Sequence, residues 1–287
     1  MSKKDSEFQV KFMSFLFRGK EIFKPLNTGF IDERVRCIRE YVANIYFYTK
    51  DGQTIMIDAG YNYDRLAEKM QWLDISPKDI KDILITHQDT DHVGAIEKGS
   101  NELFKEATIY IGRIENEYLE GKITRKVFWG LHKLPKVQID NKKVLIEDGQ
   151  VFYIGNIKIE AILVPGHTWG HLVYLIDDAY LFTGDTIWFG ADGGYAFLNN
   201  LAEDRKLQVK SLKRLEEIIR GKNLKLKIIT GHTGWTDDID FTFAHIDEIC
   251  NSLRRKPKVR DPKAPYDGFD ESEDTKENAR NSFLEKC

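Results

Sequence analysis

Residues 87–92 read His87-Gln88-Asp89-Thr90-Asp91-His92, and His87, Asp89, Asp91 and His92 are all of types that bind metal ions. They follow an apolar, β-branched run, Ile83-Leu84-Ile85-Thr86, so a strand ends in imidazoles and carboxylates. Gathered in a protein interior, the carboxylates would repel one another, and loss of water would push them towards the neutral form. A bound cation answers both costs. A polar loop with Asp91 as a helix N-cap is the plainer alternative, and the hexad alone leaves it open.

Three later segments share this plan. Ile162-Leu163-Val164-Pro165-Gly166-His167-Thr168-Trp169-Gly170-His171, Tyr180-Leu181-Phe182-Thr183-Gly184-Asp185-Thr186 and Leu226-Lys227-Ile228-Ile229-Thr230-Gly231-His232 each run from an apolar strand into a glycine turn bearing a histidine or an aspartate. Of seven histidines, four (His87, His92, His167 and His232) fall in such strand-exit loops. Glycine lets the backbone turn sharply and approach a ligand closely.

At these residues the chain resembles the metallo-β-lactamase fold superfamily, with its His-x-His-x-Asp-His loop, a distal His, a bridging Asp and a last His. His87, Asp89, Asp91, His92, His167, Asp185 and His232 match in that order. Thr86, Ile57-Asp58-Ala59-Gly60 and Asn44-Ile45-Tyr46-Phe47 resemble flanking segments, so the likeness runs from Asn44 to His232. It is closest in character to the lactonase and hydroxyacylglutathione-hydrolase branch. The resemblance implies an α/β fold, a four-layer αββα sandwich of two mixed sheets. It assigns His87, Asp89 and His167 to a first metal, Asp91, His92 and His232 to a second, and Asp185 to a bridge between them. Asp91 would also orient the nucleophile. Asp58 would orient a ligand histidine from behind, with a strand-end turn residue as the alternative. His171 would support the site or face the substrate, with a turn-capping histidine as the alternative.

One position departs from the family: its second histidine is Asp89. A carboxylate there adds charge, hardens the first site and shifts preference from zinc towards manganese and other oxygen-loving cations. The expected cofactors are therefore two divalent ions, zinc first, with iron or manganese admitted by Asp89. Alternatively, Asp89 is a solvated loop acid and only the second site fills.

Length and composition set bounds. At 287 residues, one or two domains are allowed. Ligands spread over most of the chain must converge, so residues 1–255 are expected to form one αββα domain and 256–287 a loosely packed polar tail. A net charge of −3 gives no reason to expect nucleic acid or membrane as a partner. No run approaches the roughly 20 apolar residues of a spanning helix, and residues 1–7 lack a signal peptide's apolar core. Cys37, Cys250 and Cys287 are too few and scattered for a disulfide framework. A cytoplasmic enzyme with a small-molecule substrate is expected, and a homodimer is compatible with the chain.

Strands are expected at Phe8–Phe17, within Arg36–Thr49, and at Thr54–Ile57, Ile83–Thr86, Thr108–Ile111, Val144–Ile146, Val151–Ile154, Ile157–Val164, Leu172–Ile176, Tyr180–Thr183 and Lys225–Thr230. Ser76-Pro77 opens a short helix, another begins at His92, and amphipathic patterns predict helices over Asp204–Arg220 and Phe241–Leu253. Residues 113–142, polar and basic, are either a lid over the metals or a surface excursion. Trp169 either walls a pocket or packs, and Trp188 and Phe189 either rim the pocket or pack together. The expected chemistry is hydrolysis of a small ester, lactone or thioester by a hydroxide held between the metals, whose bound water has its pKa lowered to about 7. An iron-dependent oxygenase or oxidoreductase and a small-molecule phosphodiesterase are the alternatives.

Overall fold

Two-residue alternation along the strands decides the layers. The computed structural model describes residues 23–100, 102–248 and 271–284. In β3 (Ala43–Lys50), Ile45 and Phe47 face one core cluster while Tyr46 and Tyr48 face another. The same switch separates Met56 from Ile55 and Ile57 in β4 (Gln53–Ile57), and Leu84 from Ile83 and Ile85 in β5 (Asp82–Ile85). Strands apolar on both faces must be covered on both.

The first sheet has seven strands in the order β1-β2-β3-β4-β5-β6-β9. Here β1 is Gly29–Phe30, β2 Val35–Glu40, β6 Thr108–Gly112 and β9 Lys143–Ile146, while β7 (Lys126–Val127) and β8 (His132–Lys133) form a separate hairpin. The second sheet has six, in the order β10-β11-β12-β13-β16-β17. These are β10 (Val151–Ile154), β11 (Ile157–Leu163), β12 (Leu172–Ile176), β13 (Tyr180–Phe182), β16 (Lys227–Ile229) and β17 (Trp235–Thr236), and β14 (Ile187–Phe189) and β15 (Gly194–Ala196) pair apart from it. Both sheets are mixed: β4 and β5 pair in parallel, as do β13 and β16.

The inner cluster joins the sheets face to face, with Tyr46, Leu84, Ile159, Tyr174 and Phe182 among its buried members. Helix α1 (Tyr63–Trp72) buries Leu66 and Met70 on the outer face of the first sheet. After α2 (Thr90–Val93) and α3 (Arg113–Glu120), helix α4 (Arg205–Lys222) buries Leu212, Leu215 and Ile219 on the outer face of the second. The result is the expected αββα sandwich. At roughly 1.5–3 kcal/mol per large apolar side chain, these three interfaces dominate its stability.

Several elements differ from expectation. Helix α1, capped by Asn62 Oδ1 on the Asp64 and Arg65 amides, carries too many charges to stand out as an apolar stripe. The Ser76-Pro77 start gives only a 3-10 turn, Pro77–Asp79. Helix α5 spans Ile239–Phe243, while Phe8–Phe17 and residues 249–253 lie outside the described residues. The tail is not loose where it is described, for residues 271–284 dock on the domain. Asp274 accepts the Thr28 amide at 2.5 Å and Lys69 Nζ at 2.6 Å, and Glu271 accepts Arg65 Nη1 at 2.8 Å. Helix α6 (Lys276–Leu284) follows, with Ala279 buried. The physical reason is that Lys69, 4% exposed, needs an anion beside it.

Glu40, at the end of β2, is fully buried, and its Oε2 accepts the amides of Tyr61 and Asn62 at 2.6 and 2.8 Å. Burial pushes its carboxyl up to about 7, against the pull of Arg65, from an ordinary 4.5. The folded protein thus holds a proton that the unfolded chain releases, so stability falls as pH rises from about 4.5 to about 7 and levels off above. Glu40→Gln removes that titration. Thermal melts are expected to favour the variant over the wild type increasingly between pH 5 and pH 8, and a gap that stays constant over that range would show that Glu40 ionises normally.

Candidate metal centre

Every candidate ligand leaves the same end of the sandwich. His87 follows β5, Asp185 follows β13, His232 follows β16, and His167 stands in the turn between β11 and β12. Backbone bonds stitch the loops together: Ala59 N–H to His92 O at 2.6 Å, Asn44 N–H to Gly231 O at 2.8 Å and Leu172 N–H to Thr86 O at 2.9 Å.

Among the described residues, two groups offer ligand atoms within 4.8 Å of one another: Asp91, His92, Asp185 and His232, and His87, His167 and Asp185. Asp185 belongs to both. Its Oδ1 lies 3.3 Å from His92 Nε2 and 3.1 Å from His232 Nε2, while its Oδ2 lies 3.9 Å from His87 Nε2 and 3.7 Å from His167 Nε2. One carboxylate therefore serves both groups, with His232 Nε2 also 3.2 Å from Oδ2. Asp91 Oδ2 stands 3.6 Å from His92 Nε2 and 3.4 Å from His232 Nε2. Asp89 Oδ2 stands 3.2 Å from His167 Nε2 and 3.6 Å from His87 Nε2.

The outer ring nitrogens are held from behind, which turns the Nε2 atoms inward. Asp58 Oδ2 meets His92 Nδ1 at 2.8 Å, Val42 O meets His232 Nδ1 at 2.6 Å and Thr86 Oγ1 meets His87 Nδ1 at 3.1 Å. Asp58 also accepts the Thr86 amide at 2.8 Å. Its left-handed backbone, φ 59°, is one that aspartate tolerates. His171 is fully buried, stacks on His87 at 4.8 Å and accepts the Asp185 amide on Nε2 at 3.1 Å. It thus lies behind the ligands, fixing the turn that carries Asp185, and not on a substrate face. Burial, reinforced by His87, keeps its ring neutral, well below the ordinary histidine range.

These residues fit a pair of cations. His87 Nε2, His92 Nε2 and Asp185 Oδ1 are buried without a hydrogen-bond partner, an expensive arrangement unless another group takes their lone pairs. Gly231 is shaped to the same centre, since a Cβ there would stand 2.7 Å from Asp185 Oδ1. Burial opposes ionisation of Asp185, yet His232 and His92 hold its carboxyl well below the usual carboxylate range.

The sequence did not single out Arg125. Its side chain reaches in from the 113–142 segment, 2% exposed, and grips Asp89 with Nε–Oδ1 and Nη2–Oδ2 both at 2.8 Å. The signal available was indirect: an extra carboxylate among ligands calls for a cation, and the nearest basic segment holds one arginine between Thr124 and Lys126. Burial, and then the charge of Arg125, brings the His167 ring down to about 4. Glu115 is also fully buried, accepts the Gln88 amide at 2.8 Å and Thr168 Oγ1 at 2.7 Å, and is raised to about 7 by burial. It ties the two ligand loops together.

Trp188 and Phe189 are core residues, 2% and 7% exposed, and do not rim an opening. Trp169 does: with Trp129, Lys122, Lys126, Lys133 and Glu203 it lines a cavity of about 540 Å³ whose wall flanks Arg125. The 113–142 segment forms α3 and the β7–β8 hairpin, so it supplies both that wall and the guanidinium.

A family model described as the metallo-beta-lactamase superfamily matches residues 38–232. The chain is 29% identical over 159 residues to a probable polyketide biosynthesis zinc-dependent hydrolase of Bacillus velezensis, covering 55% of this chain and 60% of that protein. It is 25% identical over 177 residues to an atrochrysone carboxyl ACP thioesterase of Aspergillus fumigatus, covering 61% of this chain and 47% of the other. It therefore spans less than two thirds of either relative. A solved B3 metallo-beta-lactamase with an active-site glutamic acid superposes with a TM-score of 0.55 at 18% identity, covering 78% of this chain and 87% of that one, a likeness of fold.

Asp58→Asn keeps one acceptor oxygen but sets an NH2 donor against either His92 Nδ1 or the Thr86 amide, where both now meet a carboxylate oxygen. Zinc affinity, read by competition with a chromophoric chelator, is expected to fall about 10–100-fold. Unchanged affinity would make Asp58 a turn residue only.

Proposed function

Because the chain belongs to the metallo-beta-lactamase superfamily, we propose that it is a metal-dependent hydrolase of a small ester, lactone or thioester, working with two divalent ions, zinc foremost. The convergence of His87 Nε2, His92 Nε2 and Asp185 Oδ1, all buried and without partners, on one centre carries the reading. His87, Asp89, His167 and Asp185 would hold one ion, and Asp91, His92, His232 and Asp185 the other. When bound, such a pair polarises a carbonyl and lowers the pKa of an adjacent water.

The protein's own side chains do the rest. Asp91 is the most exposed of the acids, its side chain 19% accessible against 12% for Asp89 and 4% for Asp185. It is the one that solvent reaches most readily, and it can orient an incoming water and take its proton at a carboxylate oxygen. The buried Asp58, His171 and Glu115 keep the ligand loops from shifting. The names of the two curated relatives, a zinc-dependent hydrolase and an acyl-carrier thioesterase, support acyl transfer to water.

The cavity lined by Trp169, two residues beyond His167, and by the neighbours of Arg125 supports an anionic, extended acyl compound as substrate. Lys126 and Lys133 border it without a carboxylate partner among the described residues, and Trp129 and Trp169 offer flat apolar surface. Its 540 Å³ lies in the range of small-molecule sites.

Zinc-loaded protein is expected to hydrolyse members of a panel of lactones, acyl thioesters and carboxylic esters, with Asp91→Asn lowering kcat about 10²–10⁴-fold. Turnover confined to a phosphodiester in the same panel, or none beyond the metal-free control, would overturn the reading. Replacing Lys126 and Lys133 by glutamate is expected to raise KM several-fold for acyl-coenzyme A but not for a neutral thioester. An equal effect on both would remove the anion from the substrate.

A further inference from the structure

We propose that Arg125 is the charge partner of Asp89 and that the two together take the place of one neutral ligand at the first metal. The proposal rests on the reading of His87, Asp89, His167 and Asp185 as that metal's ligands, and it concerns how an anion can stand among them.

Hydrogen-bond bookkeeping fixes the geometry. Asp89 Oδ1 accepts from Arg125 Nε at 2.8 Å and from Gln88 Nε2 at 3.0 Å, so it is turned away and occupied. Oδ2 accepts one hydrogen of Arg125 Nη2 at 2.8 Å, lies within hydrogen-bond distance of His167 Nε2 at 3.2 Å, and faces His87 Nε2 at 3.6 Å. The other Nη2 hydrogen goes to Leu201 O at 2.8 Å, and Nη1 donates to Lys126 O at 3.0 Å. Arg125 Nη2 also lies 3.2 Å from His167 Nε2, but both its hydrogens are spent on oxygens, and the imidazole lone pair stays free for the centre. Arg125 therefore presents Asp89 through a single oxygen, the way an imidazole presents one nitrogen.

The charges agree with this. A carboxylate of −1 beside a guanidinium of +1 leaves zero, the charge of the neutral histidine that the family carries at this position. The pairing cancels the added charge of a bare carboxylate, while the donor atom stays an oxygen. If Asp89 is lost, Glu203 is the carboxylate left within electrostatic reach of Arg125. That carboxylate already accepts Tyr118 Oη and the Lys126 amide, and the guanidinium is too buried to reach water.

An unintuitive result follows. Asp89→His, which restores the family's own ligand, strands a buried cation beside a divalent ion, whereas Asp89→His with Arg125→Met removes both charges together. Each protein is stripped, reloaded with excess zinc, freed of unbound metal, and its zinc content and melting temperature are measured. Two zinc ions per chain are expected for the wild type and the double variant. One is expected for Asp89→His, its second ion held on the order of tenfold or more weakly. Folding of the double variant where the single one fails supports the same conclusion. Asp89→His retaining two ions as firmly as the wild type, or a double variant no better than Asp89→His in zinc content or melting temperature, overturns the proposal. A wild type holding fewer than two ions counts against the dinuclear reading itself. The coupling is then still read from melting temperatures, where the double variant is expected to recover what Asp89→His loses.

Discussion

A single buried carboxylate, that of Asp185, gives the structure its focus. It sits where the exits of the two sheets meet, 3% exposed, with Oδ1 turned to His92 and His232 and Oδ2 to His87 and His167. A charge in that position is tolerable only if every neighbour is arranged around it. The His171 ring accepts the amide of the same residue, Gly231 leaves room beside its oxygen, and Gly184, just before it, adopts a positive φ and has no space for a Cβ, which would strike Thr86 and His171. The apolar layers can be read as the frame that brings these exits to one point.

That frame was legible because its signals were local. Strands β3, β4 and β5 alternate side chains between two apolar faces, and the turn glycines stand where each strand stops. The candidate ligands were legible for the same reason: each occupies a strand-exit loop, and their order along the chain resembles one family. The structure brings six of them into two groups that share Asp185, with Asp89 beside them against Arg125. What could not be read were pairings between distant segments. Arg125 is one of many basic residues in a polar stretch, and nothing local tells which of them turns inward 36 positions from Asp89. Helix α1 was hidden because the face it turns to the docked tail is charged, with Arg65 and Lys69 meeting Glu271 and Asp274 some two hundred residues away. His171 was open between two roles until its burial behind His87 decided the matter.

Electrostatic neutrality recurs at two scales. At the centre, the Arg125 guanidinium balances the Asp89 carboxylate. Away from it, Lys69 and Arg65 balance Asp274 and Glu271 beneath the last helix. In both places the anion and its cation come from different parts of the chain, so each pair also acts as a long-range tie. Removing one member leaves the other buried without compensation, at about 3–5 kcal/mol, which makes these pairs more exacting about sequence than the apolar clusters around them.

The docked helix α6 has a geometric consequence for assembly. Ser282 Oγ accepts the Phe30 amide at 2.9 Å, and Gly29 has no room for a side chain beneath the same serine. The outer rim of β1, the place where the seven-stranded sheet would otherwise offer an open row of amides and carbonyls, is thereby roofed by the protein's own last turn. A second copy cannot extend the sheet by adding a strand there without first peeling that turn away. Growth into a continuous ribbon is blocked at this margin of the sheet.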